Sequence, residues 1–234
     1  MIKNFAAAIL IAGSTLNASA QTYIQGGLNL ANITKTATGH TEKNNMLTTF
    51  NAGILTRFNL STPVDLESGI LFTGHGSKAE SYFGTGTDNN YVKTKFNPYY
   101  LELPLNVVFR FPATKTTNIF AHVGPYAAMG VSEKATTESN FLGATTTSQS
   151  NIKFSNDDPF TSQQEDAGYN KLKRFDLGMN FGGGLDLNKI IIRVNYGFGF
   201  TKINSTQTNN STDEKNKYRT LSLSIGLPIS REKS

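Results

Sequence analysis

The sequence predicts an all-β fold, an eight-stranded antiparallel up-and-down transmembrane β-barrel. Three observations carry that expectation: eight segments alternate apolar and polar residues, their connections alternate short and long, and aromatic residues on the apolar face sort by depth. Period-two alternation is a strand signature, because successive Cβ atoms point to opposite faces of a sheet. It is clearest from Ile190 to Thr201, where Ile190, Ile192, Val194, Tyr196, Phe198 and Phe200 share one face. The other face is Ile191, Arg193, Asn195, Gly197, Gly199 and Thr201.

The first 20 residues are set apart as a secretory signal peptide, with Lys3 at a basic start, an apolar run from Phe5 to Ala12, and Ala18-Ser19-Ala20 as the small-residue cleavage site. That run is too short to span a bilayer as a helix. The barrel domain is then residues 21–234, a suitable length for one all-β domain.

Along that domain the first segment, Tyr23 to Thr34, sets Ile24, Leu28 and Leu30 against Gln25 and Asn29. Leu47 to Asn59 sets Phe50, Ala52, Ile54 and Phe58 against Asn51, Gly53 and Arg57. In Val64 to Lys78, Val64, Leu66, Ile70 and Phe72 oppose Asp65, Glu67, Gly69 and Thr73. Phe96 to Phe111 is the longest, with Tyr99, Leu101, Leu103, Leu105, Val107, Phe109 and Phe111 opposite Tyr100, Glu102, Asn106 and Arg110. Asn118 to Val131 is the weakest, since Phe120 and Tyr126 fall on its polar side. Arg174 to Leu187 sets Phe175, Leu177, Met179 and Phe181 against Asp176, Gly178, Asn180, Gly182, Gly184 and Asp186. Ile190 to Thr201 is the seventh, and Tyr218 to Ile229 closes the set.

Short turns at 60–63, 112–117 and 188–189 alternate with long polar loops at 35–46, 79–95, 132–173 and 204–217. Membrane barrels have this asymmetry, with short periplasmic turns and long outer loops. Threading the strands puts Phe50, Phe72, Tyr99, Phe175, Phe198 and Phe200 near the long-loop end and Phe58, Phe109 and Phe111 near the short-turn end. From Phe50 to Phe58 the tilted strand climbs roughly 20 Å, and from Tyr99 to Phe109 roughly 25 Å, matching the spacing of two interfacial aromatic girdles.

Composition narrows the function classes. There is no cysteine, so no disulfide framework, lipid-anchored cysteine or thiol nucleophile. Without the signal peptide the chain has 21 Lys and Arg against 17 Asp and Glu, a net charge of +4. These basic residues are scattered, and no aromatic-basic motif for nucleic acid is present.

The inward face carries Arg57, Asp65, Glu67, Glu102, Arg110, Asp176, Asp186 and Arg193, read as a network of ion pairs plugging a narrow lumen. Arg193 has Asp186, Glu67 and Glu102 as candidate partners. Glu67 and Glu102 would have to sit together and reach substrate to act as an acid–base pair. His75 with a Ser or Asp from a loop is the weak candidate for a lipid-modifying triad; no nucleophile motif supports it, and Ser77 beside Gly76 is not diagnostic. Neither the histidines nor Asn156-Asp157-Asp158 have metal-ligand spacing, so no cofactor or metal is expected. Loop 132–173 is the leading binding element, read as a hydrated surface loop that in part extends strands above the membrane, with Thr145 to Ser150 read as low-complexity and mobile.

Three motifs also carry a family resemblance: Tyr100-Leu101-Glu102-Leu103-Pro104-Leu105, Gly124-Pro125-Tyr126, and Asp176-x-Gly178-x-x-x-Gly182-x-Gly184. With these the chain resembles the PorT-type, porin-family outer-membrane β-barrels over about residues 23–229. The resemblance implies a bacterial outer-membrane location. It also implies lipid and the barrel-assembly machinery as partners, and a role in surface binding or secretion-related assembly. Unlike the usual assembly signal, Ile229 is followed by Ser-Arg-Glu-Lys-Ser and not by a terminal aromatic. A narrow solute channel and a barrel-embedded enzyme are the alternatives.

Overall fold

The computed structural model describes residues 20–37, 40–43, 46–83, 90–132, 135–150, 153–155, 171–201, 203 and 217–230. The expected signal peptide, apart from Ala20, and Asn156-Asp157-Asp158 lie outside the described residues. The strands are β1 (Ala20–Ala37), β2 (His40–Lys43), β3 (Leu47–Ser61), β4 (Val64–Gly74), β5 (Ser77–Phe83), β6 (Asn90–Phe96), β7 (Tyr99–Pro112) and β8 (Asn118–Ser132). There follow β9 (Ala135–Phe141), β10 (Ala144–Ser150), β11 (Lys153–Ser155), β12 (Lys171–Lys173), β13 (Phe175–Asp186), β14 (Ile191–Gly199) and β15 (Lys217–Ser230).

Eight of these form the wall in the order β15-β14-β13-β8-β7-β4-β3-β1, all antiparallel, and β15 pairs with β1 to close it. Closure leaves no wall strand with an unpaired edge, which is what lets a sheet cross lipid. The wall strands coincide with the eight alternating segments to within a few residues. Two predicted segments end differently. The run from Val64 breaks at His75-Gly76 and the run into Phe111 breaks at Asn97-Pro98. Pro98 has no N–H to give the ladder, but its carbonyl accepts from the His75 N–H at 2.9 Å, so the interruption stays bridged.

The usual burial rule is inverted. Ile24, Leu28, Ile54, Ile70, Leu105, Ile119, Val194, Leu223 and Ile225 are exposed, whereas Asn29, Arg57, Asp65, Glu67, Asn106, Asp176 and Arg193 are buried. A water-soluble barrel would reverse both lists. The exposed band therefore faces lipid.

Phe120 and Tyr126, which weaken the pattern of β8, point inward and are almost fully buried. Their room comes from the next strand: Tyr126, His122 and Phe120 stand directly across from Gly178, Gly182 and Gly184 of β13. A Cβ on Gly178 would lie 2.5 Å from the Tyr126 ring, and one on Gly184 2.8 Å from Phe120. Large side chains on one strand are thus matched by absent ones on its neighbour.

The long connections 79–95, expected as a loop, and 132–173, expected as a surface loop and in part a strand extension, build sheet where they are described. The β4–β7 ladder, which reaches Gly74↔Tyr99, resumes three residues further along each strand as Ser77↔Phe96 of β5–β6. The β7–β8 ladder at Tyr99↔Ser132 likewise resumes as Phe96↔Ala135 of β6–β9. Three wall strands therefore run on beyond the barrel mouth as an arm, and β10 returns beside β9 as its fourth strand. Thr145 to Ser150, expected to be mobile, lies in that strand. Its threonines have the β-branching that favours extended backbone.

Candidate functional site: a filled lumen and an outer arm

The lumen is filled in layers. Nearest the short turns, the Arg110 guanidinium grips Asp65 with both arms, at 2.5 and 2.8 Å, and Asn59 donates to the same carboxylate at 3.1 Å. One layer further in, Glu67 is fully buried at the centre of a cluster. It accepts from Arg57 Nε at 2.8 Å, Arg193 Nη2 at 2.5 Å, Tyr23 Oη at 2.6 Å and Asn106 Nδ2 at 3.1 Å. Arg57 also reaches Asp186 at 3.5 Å. Its guanidinium lies 4.3 Å from the centre of the Phe120 ring and 5.3 Å from that of Tyr23. Arg57 and Glu67 meet because β3 and β4 pair in a register that puts them side by side.

Above this cluster Gln25, Asn51, Asn106, Asn195 and Ser222 surround a cavity of about 30 Å³, room for one or two waters. The next layer joins Asn29 to Asn51 and Thr73, and Asn180 donates to Glu102 at 2.8 Å. Asp176 then accepts from Tyr126 at 2.8 Å and from Thr201. At the mouth the filling turns apolar, with Leu172, Ile203 and Phe154 packed over Tyr100, Tyr126 and Tyr218. A Cβ on Gly130 would fall 2.3 Å from the Phe154 ring, so Phe154 rests directly on the wall.

The structure brings together Arg57, Glu67, Asp186 and Arg193, and pairs Asp65 with Arg110. It places Glu102 and Asp176 in separate layers above them. Arg193 takes Glu67, not the Asp186 or Glu102 also considered, because Asp186 is committed to Arg57. Glu67 and Glu102 do not form a pair: two guanidiniums hold the first, while the second faces Asn180 and, at 3.8 Å, His75. His75, the weak triad candidate, is only 3% exposed, and its ring stands against Tyr100 and Tyr218 at 5.2 and 5.1 Å. Sequence reasoning did not single out Tyr23, although it lies two residues before Gln25 on the same inward face.

On the outside, Phe50, Phe72 and Tyr99 form one cluster with ring centres 5.0–5.9 Å apart. Phe198 and Phe200 meet at 5.5 Å, with the Arg219 guanidinium 3.6 Å from the Phe198 ring centre. Phe175 is exposed beside this end, and Phe109 and Phe111 are exposed at the other, where Phe58 is half-buried.

The arm has a different surface. Lys78, Lys93, Lys95, Thr136 and Glu138 line a cleft of about 240 Å³. Tyr91 donates to Glu138 at 2.7 Å, which pushes its phenol above the ordinary tyrosine range, and the Lys93 ammonium sits 4.1 Å over its ring. The β9–β10 turn has positive φ at Leu142 and Gly143, the geometry of a tight hairpin, and leaves Leu142 85% exposed at the tip.

A closed barrel with an apolar exterior and a filled polar interior is the architecture of an integral outer-membrane protein. The chain belongs to the outer membrane protein beta-barrel domain family, whose model matches residues 18–205. The fold is similar to that of Ail, the attachment invasion locus protein of Yersinia pestis (14% identity, 90% of this chain and 99% of that one, TM-score 0.40). It is similar also to Neisserial surface protein A (10% identity, 89% and 97%, TM-score 0.43) and to OprG from Pseudomonas aeruginosa (10% identity, 90% and 94%, TM-score 0.36). At these values the likeness concerns the type of fold and not the role. No curated protein sequence matches the chain. Family membership places it in the bacterial outer membrane.

Proposed function

We propose that the protein is a non-conducting, non-enzymatic outer-membrane barrel with an interaction role, its binding surface being the arm outside the membrane. The observation that carries this reading is the lumen's double closure, by the Glu67–arginine cluster below and the apolar cap of Phe154, Leu172 and Ile203 above. A passive channel needs a continuous water path, and an enzyme of this kind needs a substrate route to its polar residues. The PorT-type resemblance favours the same reading, whether the partner is a surface ligand or a component of secretion-related assembly.

The test is osmotic swelling of lipid vesicles containing the purified protein, with arabinose and glucose as solutes. Swelling at the rate of protein-free vesicles is the expected result; sugar-dependent swelling would replace this reading with the channel. A second expectation concerns the cap. The double variant Phe154→Ala/Leu172→Ala should also leave swelling at background, because the Glu67 cluster still blocks the lower lumen. Stopped-flow light scattering of both samples checks it.

A further inference from the structure

We propose that β10 is a homotypic adhesive edge: it pairs antiparallel with β10 of a second copy standing in an opposed membrane. This rests on the interaction role assigned to the arm. All seven residues of β10 are exposed, on both faces. Among the described residues β10 pairs with β9 alone, without a bulge, from Ala144↔Phe141 to Ser150↔Ala135. Its outer edge is therefore a row of backbone donors and acceptors facing away from the sheet. Edge strands are ordinarily blunted by lysines, prolines or bulges. β10, with the sequence Ala-Thr-Thr-Thr-Ser-Gln-Ser, has none of these, whereas β5, β6 and β9 hold Lys78, Glu80, Lys93, Lys95 and Glu138. The opposite edge, β5, lies against β1.

The occupant follows from self-complementarity. An antiparallel pair centred on Thr147 sets Thr147 against its own copy, Thr146 against Ser148, Thr145 against Gln149 and Ala144 against Ser150. Every pair is uncharged, and the threonine and serine pairs are ones that support each other across strands. A two-fold contact of this kind uses the same patch twice.

Strand direction decides where the second copy stands. β9 continues the outward-running β8 in register, so β10 runs back toward its own membrane. Copies in one membrane have their β10 strands pointing the same way and cannot pair antiparallel. Copies in two facing membranes can. One such strand pair is a weak contact, but many between two surfaces add as a multivalent bond.

The experiment uses phosphatidylcholine vesicles carrying the purified full chain, with aggregation followed by turbidity and dynamic light scattering. Wild-type vesicles are expected to aggregate. Thr147→Lys vesicles and Thr147→Glu vesicles should each stay dispersed, with at least a tenfold slower rise in turbidity, because like charges meet at the two-fold. Mixing the two variants should restore aggregation, since Lys then meets Glu. Heat-shifted mobility of each variant on gels establishes that the barrels are folded. Dispersed wild-type vesicles, undiminished aggregation of either variant alone, or no recovery on mixing would overturn the proposal. Recovery on mixing cannot arise from a misfolded arm. Swelling of the same vesicles in sugar reports separately on the filled lumen, so failure of the adhesive edge and failure of the non-conducting reading are told apart.

Discussion

Replacing Glu67 with alanine is expected to lower the stability of the barrel by about 3–5 kcal/mol, the usual cost of stripping one partner from a buried ion pair. Its carboxylate is the common acceptor for Arg57, Arg193, Tyr23 and Asn106, and it is fully buried. Without it two guanidiniums face each other across a narrow lumen, with Asp186 the remaining carboxylate and in contact with Arg57 alone among the two. Glu67→Gln keeps the shape and part of the hydrogen bonding, so it should fall between wild type and alanine. Removing Arg193 as well should recover part of the loss, because the like-charge clash goes with it. Reversible urea unfolding in lipid vesicles measures all four proteins. The size of the loss also bears on transport. If Glu67→Ala cost less than about 1 kcal/mol, the cluster would be behaving as a hydrated surface pair. Water would then reach it, and the filled-lumen reading would fail.

The fold was legible because a membrane barrel writes its inside and outside into alternate residues. Ile190 to Thr201 is read correctly without any knowledge of its neighbours: Ile192 and Val194 are exposed, while Ile191 and Arg193 are buried. What alternation omits is register. Arg57 and Glu67 are visible as inward charges from sequence, but that they are partners follows only once β3 and β4 are paired residue by residue. Phe120 and Tyr126 look like faults in β8 when that strand is read alone. The glycines of β13 explain them, but only when the two strands are laid side by side. The arm was legible only in part, as a strand extension of 132–173, for another reason. Its strands are rich in Thr, Ser and Asn and have no lipid or core to face, so the apolar half of the alternating pattern is absent and the segments read as loops. Tyr23 was legible in principle, since it lies on the same face as Gln25 and Asn29.

Ile54→Arg is expected to destabilise the barrel by about 2–4 kcal/mol in a lipid bilayer, the cost of a cation at the midplane of a barrel's outer face. Ile54 is 51% exposed and lies midway along β3 between Phe50 and Phe58, which places it at the centre of the apolar band. On the surface of a soluble protein the same exchange would change stability by no more than about 0.5 kcal/mol. The contrast within one strand makes the test sharp. Leu60→Arg lies on the same outward face at the short-turn end, where Leu60 is 62% exposed, and should cost only about 0–1 kcal/mol. A depth profile from urea unfolding of Ile54→Arg and Leu60→Arg should therefore fall steeply from the middle of β3 to its end. A flat profile would mean that the exposed band is not in contact with lipid, and the assignment of the barrel's two faces would have to be reversed.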